Sequence, residues 1–196
     1  MVYFTSNVYL STNDSRIKDR FIPMDLPTYF YTFLTNISKL SDKDDLYILG
    51  NLIDFDIEDK PDESTVKYLL SLIKYTKANV YLLIGEHEEH IIQYVFNSSY
   101  EKFRKYCLSV GFTGVCISKQ ITVRDTAFVL NHYPRKYANG GISLFGYISA
   151  VTGWYAPYGI NMDYSLYHLQ LVSEDMLFYL LTKKEEKLSL GVSACQ

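Results

Sequence analysis

Side chains able to bind a metal ion or move a proton occur at separate points of this chain. The densest group is Glu86-His87-Glu88-Glu89-His90, and His132 stands well downstream. Carboxylates and imidazoles bind divalent cations, and an imidazole transfers protons near neutral pH. Because the two histidines of the run are three residues apart, it is not the H-E-x-x-H pattern of zinc peptidases. The chemistry open to these residues is proton transfer by a histidine, or one divalent metal such as Mn or Zn held by Glu86, His90 and His132.

Short apolar runs must position these side chains, and in the first half they alternate with segments of helical spacing. We predict strands over residues 2–6, 46–49 and 79–84, and helices over residues 25–40, 62–75 and 91–108. Shorter strands follow at residues 115–117, 120–123, 127–130, 143–145 and 166–171, before a closing helix over residues 173–187. With no repeat or linker in the pattern, we expect a single α/β domain over residues 1–196.

Each of the main predicted strands ends in polar residues. These are Ser6-Asn7, Gly50-Asn51, Gly85-Glu86-His87 and Asn131-His132. In open α/β sheets, ligands bind beyond the carboxyl ends of the strands. We therefore expect any functional site at this edge.

Five sequence blocks at these strand ends resemble the calcineurin-like metallophosphoesterases, in particular the small phage and bacterial members. The family carries D-x-H, G-D-x-x-D, G-N-H-D or E, a later lone His, and G-H-x-H. The corresponding blocks occur here in the same order and are Asn7-Val8-Tyr9, Gly50-Asn51-Leu52-Ile53-Asp54, Gly85-Glu86-His87-Glu88, His132 and Gly146-Tyr147-Ile148-Ser149. The resemblance implies a β-sandwich of two sheets flanked by helices, a four-layer αββα arrangement.

The same resemblance implies a degenerate metal site. The family's seven metal ligands map to Asn7, Tyr9, Asn51, Glu86, His132, Tyr147 and Ser149, and of these only His132 keeps its residue type. Two cations about 3.5 to 4 Å apart need anionic ligands to offset their repulsion. Amides replace two carboxylates, and phenols with a pKa near 10 are poor ligands at neutral pH. We expect no binuclear centre and no cofactor, although His87 matches the family's proton donor.

A tyrosine-rich segment near the carboxyl end suggests a different role. The chain has 19 tyrosines and one tryptophan, and residues 146–159 read GYISAVTGWYAPYG, which is typical of an irregular surface loop. Tyr and Trp anchor protein interfaces because they bury a large area with few rotors. We expect Trp154, Tyr155 and Tyr158 to be such anchors, while aromatic packing into a disused cleft is an equally good explanation.

The composition of the chain limits the classes of partner that it is expected to bind. The net charge of −3 gives no electrostatic signal for nucleic acid, and neither a signal peptide nor an apolar run of about 20 residues is present. Three cysteines without C-x-x-C spacing favour a reducing compartment. We expect a cytoplasmic protein that binds another protein.

The leading hypothesis is thus a catalytically inactive phosphoesterase-like protein that acts by binding another macromolecule. The similarity to phage members further suggests a phage-encoded inhibitor working in the host cytoplasm. Two alternatives stay open: a phosphodiesterase or phosphatase using one metal, with Glu86 and His132 as ligands and His87 as acid, and a metal-independent sensor of a nucleotide or phosphate.

Overall fold

The computed structural model describes residues 1–10, 26–54, 60–135, 141–147, 154–155 and 159–189. Its helices are α1 (Leu26–Ser38), α2 (Glu63–Ser71), α3 (Glu86–Tyr94), α4 (Tyr100–Val110) and α5 (Glu174–Ser189), with 3-10 helices at Leu72–Tyr75 and Tyr164–Tyr167. Its strands are β1 (Val2–Thr5), β2 (Asp45–Ile48), β3 (Asn79–Leu83), β4 (Gly114–Cys116), β5 (Ser118–Val123), β6 (Thr126–Asn131), β7 (Ile142–Phe145), β8 (Trp154–Tyr155), β9 (Gly159–Asn161) and β10 (Val172–Ser173). Among these helices, none is long and apolar enough to cross a membrane.

The strands form two five-stranded sheets. The first has the order β10-β1-β2-β3-β4, in which β1 to β4 are parallel and β10 is antiparallel to β1. The second has the order β5-β6-β7-β9-β8, with parallel β6-β7 and β7-β9 pairs between antiparallel outer pairs. The predicted α/β fold with two sheets and flanking helices is confirmed.

Both faces of the first sheet are buried, which explains its nearly continuous apolar strands. In β2, Leu46 and Ile48 face the helices, whereas Tyr47 faces the second sheet, because successive side chains of a strand point to opposite faces. The helix-facing core includes Phe33, Ile37, Leu69, Leu70 and Phe103. The core between the sheets includes Phe4, Leu83, Phe128, Leu144 and Ile160, together with Leu177 of α5.

The predicted helix over residues 91–108 is wrong in its extent. The chain forms two helices there, α3 and α4, because Asn97 and Ser98 adopt left-handed conformations with φ of 52° and 58°. Ser99 then caps α4, its hydroxyl accepting from the Lys102 N–H at 3.3 Å. Short polar side chains compete with helical hydrogen bonds in this way and favour caps and turns.

The predicted strand over residues 166–171 is also wrong. Asp163 accepts from the Ser165 N–H at 2.9 Å and starts a 3-10 helix. His168 and Leu169 then turn the chain with φ of 53° and 59°, so that the strand begins only at Val172. Ser173 accepts from the Met176 N–H at 3.3 Å, as expected for a cap of the closing helix.

Candidate functional site

The carboxyl ends of β1 and β2 continue side by side beyond the sheet. The N–H groups of Asn7 and Tyr9 donate to the carbonyls of Gly50 and Asn51, both at 3.1 Å. Asn7, Tyr9 and Asn51 all have positive φ, of 51°, 52° and 55°. Asparagine tolerates this region, whereas a tyrosine there is strained by about 1 to 3 kcal/mol, and such strain concentrates at functional sites.

Asn7 joins the two sheets through its side-chain amide. The fully buried Nδ2 donates to the Gly146 carbonyl and, at 2.7 Å, to Oδ2 of Asp163. Both partners of the amide, the Gly146 carbonyl and the Asp163 carboxyl, act as acceptors, and Oδ1 of Asp163 also accepts from Ser165. Burial raises the pKa of the Asp163 carboxyl. A carboxylate at position 7 would be unable to donate and would face a second carboxylate.

Asn51 and Glu88 connect β2 to the start of α3. The Asn51 Oδ1 accepts from the His87 N–H at 3.3 Å, and its Nδ2 lies 3.5 Å from Oε1 of Glu86. The Glu88 carboxylate accepts from the N–H groups of Asn51, Leu52 and Gly85 at 2.8 to 2.9 Å. Burial raises the pKa of Glu88, and these three donors oppose that shift.

His132 follows β6 and lies against the strand ends of the first sheet. Its Nδ1 is 2.7 Å from the Leu49 carbonyl. Because a carbonyl only accepts, Nδ1 carries the proton and Nε2 keeps its lone pair. Burial lowers the pKa of His132 from 6.5 to about 4, so the ring is neutral at pH 7. Nε2 is buried and has no hydrogen-bond partner in the described part of the chain.

Two glycines provide the space for the His132 ring. A Cβ at Gly50 would lie 2.5 Å from Nδ1 of His132, and a Cβ at Gly85 would lie 3.0 Å from its Cε1. Gly50 also has a φ of +88°, which an L side chain rarely adopts. Gly50 and Gly85 therefore leave room for the His132 ring against the strand ends of the first sheet.

Two tyrosine rings pack against the ring of His132. Its ring centroid lies 4.9 Å from that of Tyr133 and 5.8 Å from that of Tyr147, and the two tyrosine rings are 4.7 Å apart. Tyr9 packs edge-on against His87 at 5.6 Å. Burial, followed by the negative charges of Glu89 and Glu86, raises the pKa of Tyr133 to about 12. The rim of the site is thus aromatic and negatively charged.

The structure brings together seven of the residues singled out from the sequence. They are Asn7, Tyr9, Asn51, Glu86, His87, His132 and Tyr147. Ser149 and Tyr158 lie outside the described residues. Trp154 and Tyr155 form β8, an edge strand paired with β9, so the predicted irregular loop is wrong at these two positions and at Gly159, the first residue of β9. The ring of His90 packs on Tyr94 at 5.1 Å.

Sequence reasoning missed two carboxylates of this region. Asp163 belongs to none of the quoted blocks, and its partnership with Asn7 spans 156 positions of the chain, so no local pattern could have indicated it. Glu88 was quoted only as part of a motif. It stands three residues after Gly85, at a predicted strand end, where a glutamate can reach back to the N-cap N–H, and its Oε2 accepts from the Gly85 N–H at 2.9 Å.

The residues present do not fit a binuclear metal centre. Asn7 and Asn51 use their amides in hydrogen bonds. The Nε2 of His132 offers a metal one neutral lone pair. Over the described ranges, no group of three or more His, Cys, Asp or Glu side chains is placed to hold a metal ion.

Comparisons with known proteins give a fold-level likeness. No family model and no curated protein matches the sequence. Among solved structures, the crystal structure of a protein of unknown function from Aquifex aeolicus, AQ665, superposes with a TM-score of 0.61 at 17% sequence identity. The match covers 92% of this chain and 98% of that one. At this identity the likeness concerns the α/β two-sheet fold alone, and it extends over nearly the whole of both chains.

Proposed function

We propose that this chain is a non-catalytic, metal-independent binding protein on a phosphoesterase-like scaffold. In this proposal the strand-end site recognises another protein instead of turning over a phosphoester. Its working compartment would be the cytoplasm, and a phage origin with a host protein as target stays a prediction from the family resemblance.

The observation that carries the proposal is the role of Asn7. Its amide donates to Gly146 and to Asp163 at once. A metal ligand at this position would present an oxygen to the cation, whereas here the nitrogen is directed at two acceptors. The amide therefore stabilises the junction of the two sheets without any cation.

The surroundings of His87, which matches the family's proton donor, agree with this proposal. His87 is 1% exposed, and its backbone N–H is held by Asn51. An imidazole acid accelerates phosphoester cleavage only beside an activated nucleophile and a group that clamps the phosphoryl oxygens. Amides at positions 7 and 51 supply neither function, so His87 serves the packing of the site through its contact with Tyr9.

Metal content tests the proposal directly. The purified chain should be loaded with Mn²⁺ and Zn²⁺, freed of excess and measured by mass spectrometry, together with its turnover of a nitrophenyl phosphodiester. We expect well under one ion per chain and no turnover above background. About one tightly held ion per chain, with turnover lost in both His87→Ala and His132→Ala, would instead establish the one-metal enzyme.

A matched pair of tyrosines tests the binding role. Tyr147 is 46% exposed near the carboxyl ends of the strands. Tyr75 is 55% exposed and precedes β3, at the amino ends of the strands. Proteins cross-linked to the intact chain in host cells should be lost with Tyr147→Ala and kept with Tyr75→Ala. Trp154→Ala tests the predicted anchor on β8 in the same assay, and an unchanged set of cross-linked proteins would exclude that residue.

A further inference from the structure

The buried Nε2 of His132 is an acceptor with no donor among the described residues. His132 is 1% exposed, its tautomer is fixed by the Leu49 carbonyl, and Nε2 keeps a lone pair that no described group satisfies. Leaving a buried polar atom unpaired is energetically unfavourable. A ligand that presents an N–H group would remove this cost, whereas a fully ionised phosphate has only acceptor oxygens.

A partly exposed tyrosine ring packs on the ring that carries this atom. Tyr147 packs on His132 and Tyr133, yet 46% of it is exposed. Its ring can rotate outward without opening either hydrophobic core, since it belongs to neither. Tyr133 and Tyr147 thus offer aromatic faces beside His132, and the face of an aromatic ring attracts a cation.

Carboxylates set the charge of the same rim. Glu86 is 36% exposed and touches Asn51 Nδ2 and His87 Nε2 only at 3.5 and 3.9 Å. Glu89 is exposed on the first turns of α3, and its charge acts on Tyr133. An anionic ligand would be repelled here, and a cationic one would be attracted.

We propose that the rim cluster, formed by Glu86, Glu89, His132, Tyr133 and Tyr147, binds the guanidinium group of an arginine side chain on a protein partner. A guanidinium is planar, stacks on aromatic rings and carries five N–H donors in a fixed fork. It can stack on the tyrosines while donating to Glu86 and to Nε2 of His132. A lysine ammonium offers the charge without the planar fork, so we expect it to bind more weakly. This inference rests on the proposed protein-binding function and names the group recognised.

Blocked tripeptides test the inference on the intact chain. With ¹³C-labelled tyrosine rings, the signals of Tyr133 and Tyr147 are assigned through Tyr133→Phe and Tyr147→Phe and followed during titration with Gly-Arg-Gly, Gly-Lys-Gly and Gly-citrulline-Gly. Citrulline keeps the shape of arginine and loses its charge. We expect saturable shifts of both rings with the arginine peptide, weaker shifts with lysine and none with citrulline.

Charge-removing variants supply the controls. Glu89→Gln and the double change Glu86→Gln/Glu89→Gln should weaken arginine binding, the double change by about tenfold, since each exposed charge pair contributes up to about 1 kcal/mol. Glu101→Gln removes the same charge from the surface of α4, where Glu101 is 56% exposed, and should leave the affinity unchanged. Because Glu89 is exposed, its variant folds normally and keeps the test decisive.

Several outcomes would overturn the inference, and they differ from those that would overturn the proposed function. Equal shifts with citrulline and arginine, or equal weakening by Glu101→Gln, would reject guanidinium recognition. Shifts caused by inorganic phosphate or a nucleotide would replace it by the anion-sensor alternative. In either case a metal-free, inactive chain would leave the proposed function intact, whereas bound metal with turnover would reject that function itself.

Discussion

At position 7 the choice between an amide and a carboxylate decides whether the two sheets are joined or repelled. Asn7→Asp would place a buried carboxylate against Asp163, in place of a hydrogen bond of 2.7 Å. We expect a loss of about 2 to 4 kcal/mol in the free energy of unfolding at pH 7, measured by urea denaturation. The loss should shrink on acidification, because protonation of either carboxyl restores a donor.

Asn79 provides the control for this change. Its side chain also donates to a carboxylate, Asp45, at 3.1 Å, but the pair is exposed. Asn79→Asp should cost less than about 1 kcal/mol, since water screens exposed charges. Similar losses at positions 7 and 79 would mean that the buried amide bridge does not stabilise the sheet junction.

His132 makes stability depend on pH in a defined direction. Its pKa is lowered from 6.5 to about 4 in the folded chain, so folding favours the neutral ring. The stabilisation is complete above pH 6.5 and is lost as the pH falls towards 4. One pKa unit corresponds to about 1.4 kcal/mol, which gives a loss of about 3 kcal/mol by pH 4.

The measurement compares the chain with His132→Asn, whose amide can still donate to the Leu49 carbonyl. The difference in free energy of unfolding between the two proteins should change by about 3 kcal/mol between pH 7 and pH 4. Burial raises the pKa of the Glu88 and Asp163 carboxyls, which makes the folded chain gain stability as the pH falls. Both proteins share this contribution, so the difference between them cancels it. A difference independent of pH would show that folding leaves the pKa of the ring unshifted, as expected for an exposed ring.

At the level of single elements, Gly50 and Gly111 separate backbone strain from steric contact. Both have positive φ, of +88° and +118°, but a Cβ at Gly50 would lie 2.5 Å from His132, whereas a Cβ at Gly111 would meet only Ile73 at 3.5 Å. Gly111→Ala should therefore cost about 1 to 2 kcal/mol, which is the left-handed penalty alone. Gly50→Ala should cost more than twice as much, because the histidine must also move.

Thermal unfolding measures both variants. A Gly50→Ala variant as stable as Gly111→Ala would mean that the His132 ring moves away at little cost, and that the strand ends are less tightly packed than the distances indicate.

The central strands of the first sheet were predicted accurately, for a physical reason. Runs such as residues 46–49 and 80–84 are apolar throughout because both faces of the sheet are buried, and this signal is local. The break between α3 and α4 depends on Asn97 and Ser98 taking left-handed conformations, which helical spacing alone does not reveal. The short strand β10 exists only through its pairing with β1, a contact remote in sequence.

At the scale of the whole molecule, the sequence could indicate that the strand ends converge but not which groups bond there. Convergence follows from parallel strands, and Asn7, Asn51, Glu86 and His132 were found by that argument. The order of the second sheet, in which β9 lies between β7 and β8, and the bond from Asn7 to Asp163 depend on tertiary packing. Neither leaves a periodic signal in the chain.

The inter-sheet core bears on the prediction that residues 1–196 form one domain. Phe4 and Leu83 of the first sheet share a buried cluster with Phe128 and Leu144 of the second, and α5 adds Leu177 to it. Two sheets that share a core should unfold together. Far-UV circular dichroism follows mainly the helices, four of which (α1 to α4) pack on the first sheet. The fluorescence of Trp154 follows β8 in the second sheet.

We therefore expect the two signals to give the same urea midpoint. Phe128→Ala removes a fully buried ring from the shared core and should lower both midpoints together, at a cost of about 3 to 5 kcal/mol. Tyr75→Ala changes an exposed side chain at the amino ends of the strands and should shift neither midpoint. If Phe128→Ala lowered the fluorescence midpoint and left the dichroism midpoint in place, the sheets would be separate folding units, and the strand-end site would lie at an interface between them.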